Sequence, residues 1–129
     1  MNFKVNNRQN FSGINKVMTK DDKLKLFAKN LAAMTINGAK KEVNQYGFHK
    51  PYVVACESPT GAGFVKFAIE YTQPRKNEPD NIKSFVVAIE KNEDLISKNI
   101  LKTGSMEEIE KFIKENDDAL YKSLKGLLG

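Results

Sequence analysis

Residues 52–72 read YVVACESPTGAGFVKFAIEYT, and this stretch decides the fold class. YVVAC is a β-rich run, Ser58-Pro59-Thr60-Gly61-Ala62-Gly63 is turn chemistry, and Phe64 to Thr72 alternates with Val65, Phe67, Ile69 and Tyr71 on one face. Lys66 and Glu70 stand on the other face, the pattern of an antiparallel hairpin with one wet side. A polar segment from Gln73 to Asn81, holding Pro74 and Pro79, reads as an exposed loop, and SFVVAIE at 84–90 is a third strand.

Downstream, residues 91–104 admit two readings. Lys91-Asn92-Glu93-Asp94 opens either a hairpin into a fourth strand, Leu95 to Lys102, or a short helix carrying Leu95, Ile96, Asn99 and Ile100; the strand is preferred. Ser105 with Glu108 three residues later forms a capping box for a final helix that presents Ile109, Phe112, Ile113, Asn116, Leu120 and Leu124 on one side. That helix is expected to lie across the sheet.

Upstream, Thr19 followed by Asp21 and Asp22 marks a helix start. Leu24, Phe27, Leu31 and Met34 recur at helical spacing, with Ala28 and Thr35 widening the stripe. Asn37-Gly38 predicts a bend or interruption, and the helical region is expected to end near Tyr46, with Gly47 as cap and Pro51 beyond it. Residues 1–18 read as a loosely ordered arm or a short edge strand. The predicted architecture is therefore an α+β fold in a single domain over 19–129. Its antiparallel sheet has three to four strands, flanked by an N-terminal and a C-terminal amphipathic helix.

Composition agrees with a globular chain: 129 residues, 40% hydrophobic and 29% charged. No run approaches the roughly 18 apolar residues of a membrane span, and residues 1–15 carry no apolar signal core. Cys56 is the single cysteine, which excludes an internal disulfide and fits a reducing compartment. These features predict a cytoplasmic protein with no membrane association. Net charge is +5, unevenly spread. Residues 1–66 hold 11 Lys/Arg against 4 Asp/Glu (+7), and residues 67–129 hold 10 against 12 (−2). A positive N-terminal half implies an acidic partner, either an acidic protein surface or nucleic acid. Only Arg8 and Arg75 are arginines, so bidentate base readout is disfavoured against loose electrostatic attraction. An AT-rich genome also encodes Lys, Asn and Ile in excess, so the lysine count alone defines no binding face.

The sequence carries no catalytic set. His49 is the lone histidine and lies roughly 20 Å along the chain from Cys56 at strand rise, too far for a nucleophile and its base. Thr60-Gly61-Ala62-Gly63 leads into a strand, whereas a phosphate-cradling loop leads into a helix. Pro79-Asp80 and Glu90-Lys91 lack the acid-any-lysine triplet of Pro-Asp metal-dependent nucleases, because Asn92 stands where the lysine is needed. The paired carboxylates, Asp21/Asp22, Glu107/Glu108 and Asp117/Asp118, sit where helix dipoles and solvent explain them. The element order is similar to that of double-stranded-RNA modules, but their final helix opens with basic residues and this one opens with Met106-Glu107-Glu108. No enzyme activity, cofactor or metal is expected.

What remains is the first helix. Lys20, Lys23, Lys25, Lys29, Lys40 and Lys41 make it basic, and Leu26 and Ala33 point away from its apolar stripe; these eight residues are the candidate partner-binding or nucleic-acid-binding set. If the helix runs unbroken through Gly38, Lys25, Lys29 and Lys40 share one stripe. Tyr46, Tyr52 and Tyr71 could offer stacking surfaces beside it for single-stranded nucleic acid, although packing in the core is the more ordinary role of such aromatics. The function expected is that of a non-catalytic binding protein that regulates or inhibits a protein partner, such as a bacterial or phage accessory protein acting on a nucleic-acid-handling enzyme. Direct, largely sequence-neutral nucleic-acid binding is the alternative.

Overall fold

The computed structural model describes residues 17–46, 50–61, 63–72 and 82–128. The elements in order are α1 (Lys20–Tyr46), β1 (Tyr52–Glu57), β2 (Phe64–Thr72), β3 (Ile82–Lys91), β4 (Asp94–Gly104), α2 (Met106–Glu115) and α3 (Asp117–Leu128). The strands form an antiparallel meander, β1-β2-β3-β4, with one helix before it and two after it. The expected α+β architecture is the one observed. The readings of residues 1–16, of Gly47 and His49, and of the 73–81 loop lie outside the described residues.

All three helices pack on one face of the sheet. Val65, Phe67 and Ile69 of β2 and Phe85, Val87 and Ile89 of β3 supply the floor of the core. Leu24, Ala28, Leu31, Ala32, Ile36 and Ala39 descend on it from α1, and Ile109, Ile113, Leu120 and Leu124 from α2 and α3. Phe67 and Phe85 meet edge to face, with ring centroids 5.4 Å apart.

Among the described residues no helix packs on the opposite face, which carries ion pairs instead. Lys66 pairs with Glu90 at 2.8 Å, and Lys98 pairs with Glu70 at 3.0 Å. The strand register sets Lys98 opposite Ala88 and Glu70 opposite Ser84, so the second pair spans Val86 between them, which is only 2% exposed. The lysine stems thus shelter apolar surface while their charges stay wet.

Local chemistry sets the element ends. Thr19 Oγ1 accepts the Asp22 amide at 3.0 Å, and Ser105 and Glu108 make the expected reciprocal capping box. Asn92 (φ 52°) and Glu93 (φ 67°) both adopt left-handed backbone between Lys91 and Asp94. That two-residue turn makes 94–104 a strand, and the helical alternative fails.

Three expectations are corrected. The helix α1 runs straight through Asn37-Gly38: Gly38 is there because the Tyr52 phenol occupies the space a side chain would need. Met34 is not in the core but exposed, the buried stripe passing instead through Ala32, Thr35, Ile36 and Ala39. The final helix is two helices: the Asn116 side chain donates to the Phe112 carbonyl, closing α2, while its own carbonyl accepts the Leu120 amide and opens α3.

Candidate interaction surface

Because α1 is unbroken over 27 residues, its side chains sort into continuous stripes. Lys25, Lys29, Ala32, Ile36, Lys40 and Val43 follow one another at three- or four-residue steps on the flank facing α2 and α3. There Lys29 lies 3.7 Å from Asp117, and Lys40 donates to both Glu110 oxygens at 2.9 and 3.0 Å. The Lys25 ammonium stands 5.2 Å from the centre of the Tyr121 ring. From the other side of the seam, Lys125 reaches Asp21 at 3.7 Å and donates to the Tyr121 hydroxyl. The predicted basic stripe therefore exists as a line but is spent on the helix seam, where α3 and α2 answer it with carboxylates and an aromatic face.

The Lys40 hydrogen bonds hold the Glu110 carboxyl below its ordinary range, against a smaller opposing effect of burial, with Lys114 helping. Glu108 is likewise lowered, first by the Ser105 amide that it accepts in the capping box. Tyr71 is pushed up to about 12, chiefly by burial and then by the neighbouring Glu42 charge.

A second stripe lies on the opposite flank: Lys23, Phe27, Asn30, Met34, Gly38 and Lys41. Gly38 meets Tyr52 at the start of β1, so this flank borders the β1 edge of the sheet. Leu26, Ala33 and Asn37 fall between the two flanks, pointing directly out. Leu26 is 47% and Met34 is 55% exposed, Ala33 is half-exposed, and Lys23 and Lys41 have no carboxylate partner among the described residues. Of the predicted set, then, Lys23, Leu26, Ala33 and Lys41 share one open surface, and Lys25, Lys29 and Lys40 belong to the seam. Lys20 sits apart at the helix start. There, with Lys23, Pro59, Thr60, Lys125 and Leu128, it lines a cleft of about 600 Å³. Met34 is the surface residue that the sequence reading placed wrongly.

Of the three tyrosines, two take the more ordinary core role. Tyr52 and Tyr71 pack against the core, and only Tyr46, at the end of α1, is exposed. Cys56 is half-buried on the core side of β1. Thr60-Gly61 lies in the hairpin turn, where the Ser58 amide donates to the Gly63 carbonyl at 2.7 Å and the Gly61 amide to the Ser58 carbonyl at 3.1 Å. Among the described residues no three His, Cys, Asp or Glu side chains converge, and no helix is long and apolar enough to cross a membrane. No family model, curated protein or solved structure matches the chain.

Proposed function

We propose that this protein is a non-catalytic binding module that regulates or inhibits an acidic protein partner through the outward surface of α1. The observation that carries the reading is the pairing of exposed Leu26 and Met34 with Lys23 and Lys41, which have no carboxylate partner among the described residues, while the neighbouring lysines face carboxylates and the Tyr121 ring of α2 and α3. An apolar centre with a charged rim is the usual anatomy of a protein contact. Its lysines would steer an acidic surface into register, and Leu26 and Met34 would supply the desolvated contact. The core packing of Tyr52 and Tyr71 removes two of the three stacking groups that a single-strand nucleic-acid site would use.

The test compares wild type with Leu26→Glu in affinity capture against candidate partners, alongside anisotropy with labelled single-stranded DNA, duplex DNA and RNA at about 50 and 300 mM salt. A captured protein lost at least about tenfold in Leu26→Glu supports the reading. Nucleic-acid binding that falls steeply with salt and ignores Leu26→Glu replaces it with direct phosphate contact.

A further inference from the structure

Among the described residues, β1 is an unguarded sheet edge. It is six residues long, YVVACE, and contains no lysine, proline or bulge, while the opposite edge strand β4 carries Lys98 and Lys102 and has two register shifts. Lysines and bulges are the devices that protect an edge from further pairing, and β1 has neither.

Which groups it offers follows from one hydrogen bond. The Ser58 amide points into the hairpin, donating to Gly63. Backbone direction alternates along an antiparallel strand, so Tyr52, Val54 and Cys56 also bond inward, and the amides and carbonyls of Val53, Ala55 and Glu57 face the free edge. No described backbone group bonds to them.

Both sides of this edge expose apolar side chains. On the open face stand Val53, 49% exposed, and Phe64, 52% exposed. On the helix face stands Met34, one turn before the Gly38 that Tyr52 covers. Leu24 near the α1 start borders Pro59 and Thr60, while Gly38 borders Tyr52, so α1 runs antiparallel to β1. Lys23 and Lys41 then bracket the edge. They are about 27 Å apart along the helix axis, against roughly 20 Å for the strand itself.

We infer that the β1 edge takes up an extended segment of the partner as an added strand, with apolar residues at alternate positions and an acidic residue at each end. The inference rests on the proposed protein-binding function and supplies its geometry. Main-chain bonds to Val53, Ala55 and Glu57 give the affinity, Val53 on the open face receives the alternating apolar side chains, and Lys23 and Lys41 on the helix side select the acidic ends, which point to the other face of the added strand. Charge argues against two other occupants. A second copy would bring its own Lys23 and Lys41 alongside, and residues 1–16 carry Lys4, Arg8 and Lys16 with no acid.

The experiment uses the full chain and a fluorescent, end-capped peptide, Asp-Val-Thr-Val-Thr-Val-Asp, with a Lys-ended counterpart. Ala55→Pro is the decisive variant, since it deletes an outward amide and leaves the β1-β2 ladder its bonds, a setting in which an edge strand tolerates proline. Its circular dichroism is expected to match wild type, and Val54→Pro, which strikes the ladder, is the contrast. The Asp-ended peptide is expected to bind wild type, to lose at least about tenfold in Ala55→Pro, and to lose its advantage over the Lys-ended peptide in Lys23→Glu/Lys41→Glu. Equal binding by Ala55→Pro, no preference for acidic ends, or no binding at all overturns the inference. So does binding that appears only when Phe3, Val5, Phe11 and Ile14 are changed to serine, which would make the chain's own arm the occupant. A wild-type dimer that Ala55→Pro dissociates would assign the edge to a second copy. If a captured partner is lost in Leu26→Glu yet kept in Ala55→Pro, the strand dock falls and the α1 surface stands; if both variants keep it, both fall.

Discussion

The phenol of Tyr52 fills the space that a side chain at position 38 would need, so Gly38 joins the middle of α1 to the start of β1. Gly38→Ala should gain about 1 kcal/mol of helix propensity and still lower stability by roughly 1–3 kcal/mol, because the ring must move. In a Tyr52→Ala background the same substitution should become stabilising. Urea midpoints of the four chains test this, and additive effects would refute the contact.

Glu93 occupies a left-handed turn position that glycine adopts without steric cost. Glu93→Gly, creating an Asn-Gly turn, should raise stability by about 1 kcal/mol, visible as roughly 3–6 °C in Tm. A lowered midpoint would show that the Glu93 side chain contributes more than its backbone strain costs.

At high pH the burial of Tyr71 becomes a liability. Its folded value of about 12 lies above the ordinary 10.0, so its contribution is complete below about pH 10 and is lost as pH rises toward 12. Denaturation midpoints over that window should fall less steeply in Tyr71→Phe than in wild type. Identical slopes would place the alkaline loss elsewhere.

Acid works through Glu110 with the opposite sign. Its folded value is below the ordinary 4.5, so the Lys40 contact stabilises above that pH and is lost as pH falls through the lowered value. Lys40→Met should return the Glu110 titration, followed by carboxyl chemical shift, toward 4.5. It should also move the acid midpoint to higher pH, with Lys114→Met doing less.

The seam also predicts which lysines matter for binding. Lys25→Glu and Lys29→Glu should cost at most about 1 kcal/mol of stability each and leave partner affinity nearly unchanged, since they face Tyr121 and Asp117. Lys23→Glu/Lys41→Glu should leave stability unchanged and weaken binding at low salt. A reversed ranking, measured by titration calorimetry and thermal melts, would move the surface to the seam.

Most of the fold was legible because its signals are local. Alternation in Phe64–Thr72, the turn residues at 58–63, and the caps at Thr19 and Ser105 act over a few residues and need no distant partner. Asn116 could have been read as a helix break, since its side chain competes for backbone, but the apolar spacing across it suggested continuity. Gly38 misled for the converse reason: glycine in a helix signals weakness locally, and only the approach of Tyr52 explains it.

The sequence by itself determined the class of fold, the positions of the first three strands and the basic character of α1, because periodicity, turn chemistry and charge are properties of the chain. Only the tertiary structure decided which lysines are free. Lys40 meets a glutamate 70 residues away and Lys29 an aspartate 88 positions on, and neither pairing leaves a trace in local pattern. The same holds for Met34 and the β1 edge. Which side of a helix is covered, and which strand ends a sheet, depend on where the other elements pack.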